Sequence, residues 1–101
     1  MDKKKRMIER HVTFHVLPDR EEEFGAFFKE EYAPALAETE GFVSANLLQD
    51  HEISGDIKMV LRFESLESAA AWRASQAHEN LKPRLKSLYD RSELTVYDVV
   101  V

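Results

Sequence analysis

The chain is 101 residues long, with 44% hydrophobic and 33% charged residues, which is the size and composition of a single globular domain. It contains no cysteine, which excludes disulfides, thiolate metal sites and thiol nucleophiles and suits a reducing cytoplasm. The net charge is −5, although four bases cluster in residues 3–6. Because the rest of the chain is strongly acidic, we expect no binding to a nucleic-acid backbone.

Residues 1–7 are predicted to form a flexible basic tip, and residues 8–101 a single domain. No apolar run reaches the roughly 20 residues that span a bilayer. The basic tip is also not followed by the apolar stretch of a signal peptide. We therefore expect a cytoplasmic protein that makes no membrane contact.

The first predicted element is a strand over Ile8 to Val16, where apolar and polar residues alternate. A helix follows, with Asp19 and Glu22 at capping-box spacing and Pro34 expected to bend its last turns. One stripe of this helix is aromatic and is predicted to enter the core: Phe24, Phe27 and Phe28.

Two strands over Phe42–Gln49 and Ile57–Glu64 flank the turn Ser54-Gly55-Asp56, which predicts an antiparallel hairpin. Ser65 is the expected N-cap of a helix through Trp72. A further helical stretch follows, with Pro83 expected near its start, where proline is best tolerated.

The last predicted strand, Leu94–Val101, is β-branched and apolar on almost every residue, as in strands buried on both faces. The order is then β-α-β-β-α-β, which predicts a ferredoxin-like α+β fold with helices on one face of a four-stranded antiparallel sheet. We expect the other face to be apolar and to pack against a second copy, giving a homodimer.

Glycine occurs only at positions 25, 41 and 55, and no serine lies in a Gly-x-Ser-x-Gly sequence. This pattern lacks a phosphate-binding loop, a dinucleotide-binding fingerprint and a nucleophile elbow. Phosphoryl transfer, nicotinamide chemistry and acyl-serine chemistry are therefore disfavoured.

Four histidines are candidates for chemistry. His11 and His15 share a strand face but lie roughly 13 Å apart, too far for one zinc ion, so we predict no metal site. His51 is assigned to a solvated loop. His78 follows Trp72 between two helical stretches, where an imidazole is suited to moving protons at neutral pH. The structural alternatives are a helix-capping histidine and a tryptophan that only packs in the core.

Two charged residues fall on faces that are otherwise apolar. Glu31 lies in the phenylalanine stripe of the first helix, and Arg73 lies on the inner arc of the second. Because buried charges are normally paired, these two side chains are a candidate ion pair. In the alternative, the bend at Pro34 turns Glu31 outward.

Two phrases carry a family resemblance: Glu40-Gly41-Phe42-Val43, and the stretch from Phe63-Glu64-Ser65 to Trp72 and His78. Over roughly residues 8–100 the chain resembles the antibiotic biosynthesis monooxygenase family. This resemblance implies a dimeric α+β barrel, in which two sheets pack face to face and each subunit holds a pocket between sheet and helices.

The resemblance also implies site residues and an activity. Some members oxidise phenolic polyketides or quinols with O₂ and no cofactor, and His78 and Trp72 match the family's helix-borne histidine and the aromatic before it. On this hypothesis His78 takes the phenolic proton. Trp72 and Phe28 hold the small aromatic ligand, and Tyr32 or Asn46 orients an oxygen atom.

Two alternatives remain open. The first is a non-catalytic ligand-binding or stress-related dimer on the same scaffold. The second is a haem-binding, haem-degrading monooxygenase, but such members use an asparagine on the first strand. Residues 7–16 contain none, and Asn46 lies on the second strand. We therefore expect no cofactor.

Overall fold

A computed structural model describes residues 6–101 of the chain. The first five residues of the predicted basic tip lie outside the described part, so the flexibility of the tip stays a prediction. Regular structure begins at Ile8, the first residue of the predicted domain.

Four antiparallel strands form one sheet in the order β2-β3-β1-β4. Their bounds are β1 (Ile8–Val16), β2 (Phe42–Gln49), β3 (Asp56–Phe63) and β4 (Tyr89–Asp98). The central strands are β1 and β3, and the hairpin of β2 with β3 forms as predicted. The predicted ferredoxin-like α+β fold is confirmed.

The last strand is displaced from its predicted range. β4 starts at Tyr89, not Leu94, because it pairs along all of β1, from Val16 opposite Tyr89 to Ile8 opposite Asp98. Val101 lies beyond the strand and is exposed. The β-branched residues therefore predict that a strand lies near the C-terminus, but pairing with β1 decides where β4 begins and ends.

The helical segment after β1 is interrupted by a wide turn. α1 (Glu21–Phe27) and α2 (Ala33–Ala37) are joined by a π-helical turn, Phe28–Tyr32, in which the Ala33 N–H bonds to the Phe28 carbonyl. Pro34 follows at once, at the start of α2. Because proline lacks an N–H and its ring crowds the preceding turn, the π turn is where the regular ladder gives way.

The π turn changes which residues face the core. Glu31 is half exposed, with its carboxylate 3.7 Å from the Arg84 guanidinium, whereas Tyr32 is buried. The candidate pair of Glu31 with Arg73 is therefore wrong, and the outward alternative is confirmed.

The predicted capping box is also wrong. α1 begins after Arg20, which makes no side-chain capping bond. Asp19 instead adopts a left-handed backbone conformation with φ of 65°.

Two helices follow β3: α3 (Leu66–Ala74) and α4 (Gln76–Lys86). Ser65 caps α3 as predicted, with its hydroxyl accepting the Ser68 N–H at 3.1 Å. Pro83 does not lie near the start of α4. It lies inside the helix, towards its C-terminal end.

Gly41, in one of the two phrases that carry the family resemblance, has a clear structural role. It has φ of 88°, and its carbonyl accepts the Glu64 N–H at 2.8 Å. A Cβ atom there would collide with the side chain of Ser68 in α3. Glycine is thus needed for both the backbone conformation and the approach of α3 to the sheet.

The core lies between the sheet and the helices. Alternate residues of β3 face the helices and are buried, and they pack against aromatic side chains from α1 and α3. The largest fully buried side chains are Trp72, Phe24, Phe27, Phe63, Ile8, Leu36, Met59 and Leu88.

The other face of the sheet is polar, and the prediction of an apolar free face is wrong. There Arg62 and His11 each bond to Glu9, at 2.7 and 2.8 Å. His15, on the same strand face as His11, bonds to Asp56 at 2.9 Å and to Glu93 at 2.8 Å. The alternation of β1 and β3 therefore places mostly charged and histidine side chains on this face.

Candidate active site

A cleft of about 240 Å³ lies between the helix-facing side of the sheet and the helices α3 and α4. Its floor is apolar, with Val12 and Phe14 from β1 and Met59 and Leu61 from β3. Clefts that combine apolar walls with a few polar groups are the usual form of a small-molecule site.

Trp72 of α3 forms one wall of the cleft and is 1% exposed. Its ring packs edge-on against Tyr32 at 5.6 Å and against His78 at 5.3 Å between centroids. The indole N–H lies near the Tyr32 phenol, but it makes no hydrogen bond of normal geometry within residues 6–101. A buried donor without a partner beside a cleft is available to a ligand.

His78 of α4 also lines the cleft. Burial lowers the pKa of its imidazole, opposed by the backbone of Arg73 and reinforced by the positive charge of Lys82. Its Nδ1 atom is buried and has no hydrogen-bond partner in the described part of the chain. At neutral pH the ring is therefore neutral and able to accept a proton.

Ser75 joins the two helices that carry these rings. Its hydroxyl donates to the backbone carbonyl of Trp72 at 2.7 Å and accepts from the backbone N–H of His78 at 3.1 Å. It is the N-cap of α4, a role that contributes about 1 kcal/mol. Sequence reasoning missed Ser75, although a serine just before a helical stretch is the usual signal of an N-cap.

Tyr32 reaches the cleft from the π turn. Burial raises the pKa of its phenol, while the neighbouring Trp72 N–H and the charge of Arg10 oppose that rise. The phenol thus stays protonated at neutral pH and can donate a hydrogen bond.

The two other predicted site residues do not line the cleft. Phe28 is buried behind Tyr32, with the two rings stacked at 6.0 Å. Asn46 is exposed on the opposite, free face of the sheet, where it pairs in register with Val60. The structure therefore brings together His78, Trp72 and Tyr32 but leaves out Asn46.

Arg10 is a cleft residue that sequence reasoning missed. It lies in phase with Ile8, Val12 and Phe14, on the helix-facing side of β1. Burial, and then the charge of Arg73, lowers the pKa of its guanidinium. The signal was present in the sequence, because a period of two places a base at this position of an apolar face.

No group of three histidine or acidic side chains within residues 6–101 is arranged to hold a metal ion. In the same part of the chain, none of the helices has the length and apolar character that a bilayer crossing requires.

The family model for antibiotic biosynthesis monooxygenases matches residues 7–84, and the chain belongs to this family. The match includes β1 to β3, α3 and residues 76–84 of α4, and so covers the positions of Trp72 and His78. No match was found among curated proteins.

Several solved structures share the fold. SnoaB, a cofactor-independent oxygenase from Streptomyces nogalater, is 18% identical, with 95% of each chain covered and a TM-score of 0.84. A conserved protein from Methanosarcina mazei is 19% identical, with 96% of each chain covered and a TM-score of 0.83. Rv0793 from Mycobacterium tuberculosis is 20% identical, covers 94% of this chain and 96% of its own, and has a TM-score of 0.78.

Proposed function

We propose that the chain is a cofactor-independent monooxygenase that oxidises a small phenolic aromatic with O₂. The observation that carries this proposal is His78, an imidazole with a lowered pKa that lies beside Trp72 in a cleft with an apolar floor. Membership of the monooxygenase family and the shared fold of SnoaB, a cofactor-independent oxygenase, support it.

The reaction needs no external reductant. A phenol with a free para position and O₂ give a para-quinone and water, so one oxygen atom enters the product and the other leaves as water. His78 takes the phenolic proton, and the phenolate passes one electron to O₂. The phenoxyl radical and superoxide combine at the para carbon, and His78 returns the proton to form a hydroperoxide. Loss of the para hydrogen with cleavage of the O–O bond then releases water.

The other cleft residues bind and orient the substrate. Trp72 offers a ring face and an unpartnered N–H, and the protonated Tyr32 phenol offers a second donor for a developing oxyanion. Phe28 supports Tyr32 from behind and has no direct contact role.

The cleft favours a compact substrate and no haem. Its volume of about 240 Å³ is below the roughly 300–1,000 Å³ of clefts that hold drug-sized ligands. Haem is larger than such ligands, so the residues present do not fit this cofactor. A substrate with a single ring or two fused rings matches the volume of this cleft.

The pH profile of O₂ consumption tests the proposal. The assay uses the purified protein with a panel of naphthols and anthrones. Because the folded pKa of His78 is below the ordinary value of about 6.5, kcat/KM should rise with pH, reach its midpoint below that value and stay level through neutral pH. Binding without O₂ consumption would contradict a catalytic role and favour the ligand-binding alternative.

We propose further that the protein is a homodimer joined through β4. This strand is an edge of the sheet and carries half-exposed apolar side chains: Leu94 (50%), Val96 (43%) and Tyr97 (49%). Such an edge offers both unpaired backbone groups and apolar area to a second copy. Sedimentation velocity at micromolar concentration should give the mass of two chains, and the mass of one chain would contradict the proposal.

A further inference from the structure

The cleft is lined by four basic side chains and by no carboxylate among the described residues. They are Arg10, Arg73, Lys82 and Lys86. The chain as a whole has 19 acidic residues against 14 Lys and Arg, so this concentration of positive charge runs against its composition. A cleft of one sign with apolar walls attracts ligands of the opposite sign.

Arg10 is the most enclosed of these bases. It lies on the central strand β1, between Leu61 and Val96 of the neighbouring strands, and is half-buried. Within residues 6–101 it forms no ion pair, because the adjacent Glu9 faces the other side of the sheet and bonds to Arg62. A charge that is partly withdrawn from water is stabilised by a partner of opposite charge, so this guanidinium is available to bind an anion.

The other charges around the cleft leave the positive excess in place. Glu79 lies 3.5 Å from Lys82 and offsets that one base. Arg10 and Arg73 line the same cleft and carry like charges; burial first, and then the charge of Arg73, lowers the pKa of the Arg10 guanidinium. An anion placed between them would relieve this repulsion.

We propose that the aromatic substrate carries a carboxylate, which Arg10 and Arg73 bind while its ring lies against Trp72. This inference rests on the proposed function and names its substrate class. The planar fork of a guanidinium donates two parallel hydrogen bonds to a carboxylate, which fixes its orientation as well as its charge. The carboxylate is also small enough to enter a cleft of about 240 Å³ together with two fused rings.

The test uses calorimetry to compare two probes that lack a phenol and so cannot be oxidised by the proposed reaction: 2-naphthoate and its methyl ester. Wild-type protein should bind the acid about 10-fold to 100-fold more tightly than the ester, as expected for hydrogen bonds to a charged group. Arg10→Gln should remove most of this preference while changing ester affinity by less than about threefold, and Arg73→Gln should reduce it. Quenching of the fluorescence of Trp72, the single tryptophan, reports whether the probe binds beside it.

The matched control is Arg20→Gln, which makes the same change in net charge at an exposed position before α1, outside the cleft and away from β4. It should keep the full preference for the acid. Equal affinity for the two probes, binding of neither, or the same loss of preference in Arg10→Gln and Arg20→Gln would overturn the inference.

Failure of the inference is distinguishable from failure of the proposed function. If the protein prefers the acid but consumes no O₂ with any phenol, the anion-binding cleft is supported and the oxygenase function is contradicted. If the protein oxidises neutral phenols but shows no preference for the acid, the oxygenase function is supported and the proposed carboxylate on the substrate is contradicted.

Discussion

Replacing His78 with alanine is expected to lower the rate of phenol-dependent O₂ consumption by about 10²-fold to 10⁴-fold, the usual contribution of a positioned general base. The change removes the histidine that lines the cleft and leaves the apolar floor intact. The affinity for the phenol should change much less than the rate, because Trp72 and Tyr32 still form the walls of the cleft. An oxygen electrode, with substrate in excess, measures the effect.

Two variants separate proton transfer from structure. His51→Ala changes an exposed loop histidine outside the cleft and should keep the wild-type rate. His78→Gln keeps a polar side chain of similar size but cannot act as a base near neutral pH, so it should be as slow as alanine. Turnover of His78→Ala at the wild-type rate would remove His78 from the mechanism.

Replacing Trp72 with alanine is expected to lower the free energy of unfolding by about 3–5 kcal/mol, because an indole that is almost fully buried leaves a large void. A domain of this size has a total stability of about 5–15 kcal/mol, so the variant is close to unfolding at room temperature. Urea titration followed by circular dichroism measures the loss, since the variant has no tryptophan fluorescence.

Trp72→Phe separates packing from recognition. It keeps most of the buried apolar area but removes the unpartnered indole N–H, so it should fold and bind the phenol more weakly. Leu66→Ala is the control on the same helix, because Leu66 is 61% exposed and should change stability by less than about 0.5 kcal/mol. A loss below about 1 kcal/mol in Trp72→Ala would contradict its place in the core.

The residues that sequence reasoning placed correctly are those with a strong local signal. The alternation of β1, the cap at Ser65 and the turn before β3 depend on neighbouring residues, and each forms as predicted. His78 and Trp72 lie together because one short link, at Ser75, joins the helices that carry them.

Asn46 is a predicted site residue, and simple alternation from Phe42 would put it on the helix-facing side of β2. A β-bulge between Phe42 and Ser44 shifts the register by one residue, so Asn46 lies opposite Val60 instead of Met59. A single extra residue turns every later side chain to the other face, and no local sequence signal marks this bulge.

The failed pair of Glu31 and the polar free face have different causes. Glu31 turns outward because the π turn before Pro34 breaks the 100° phase on which the prediction depended. The free face was judged from the valines near the chain end, but the central strands β1 and β3 decide its character. Long-range strand pairing, which local patterns do not encode, decides only the second of these.

Isotope labelling tests whether this cleft inserts one atom of O₂ into an aromatic ring without a cofactor. Mass spectrometry identifies the products from 1-naphthol under ¹⁸O₂, with metal-free protein and no added flavin or haem. We expect one ¹⁸O atom in the 1,4-naphthoquinone and the other in water, with both lost in His78→Ala. A quinone without ¹⁸O, or a reaction that needs an added metal, flavin or haem, would contradict it.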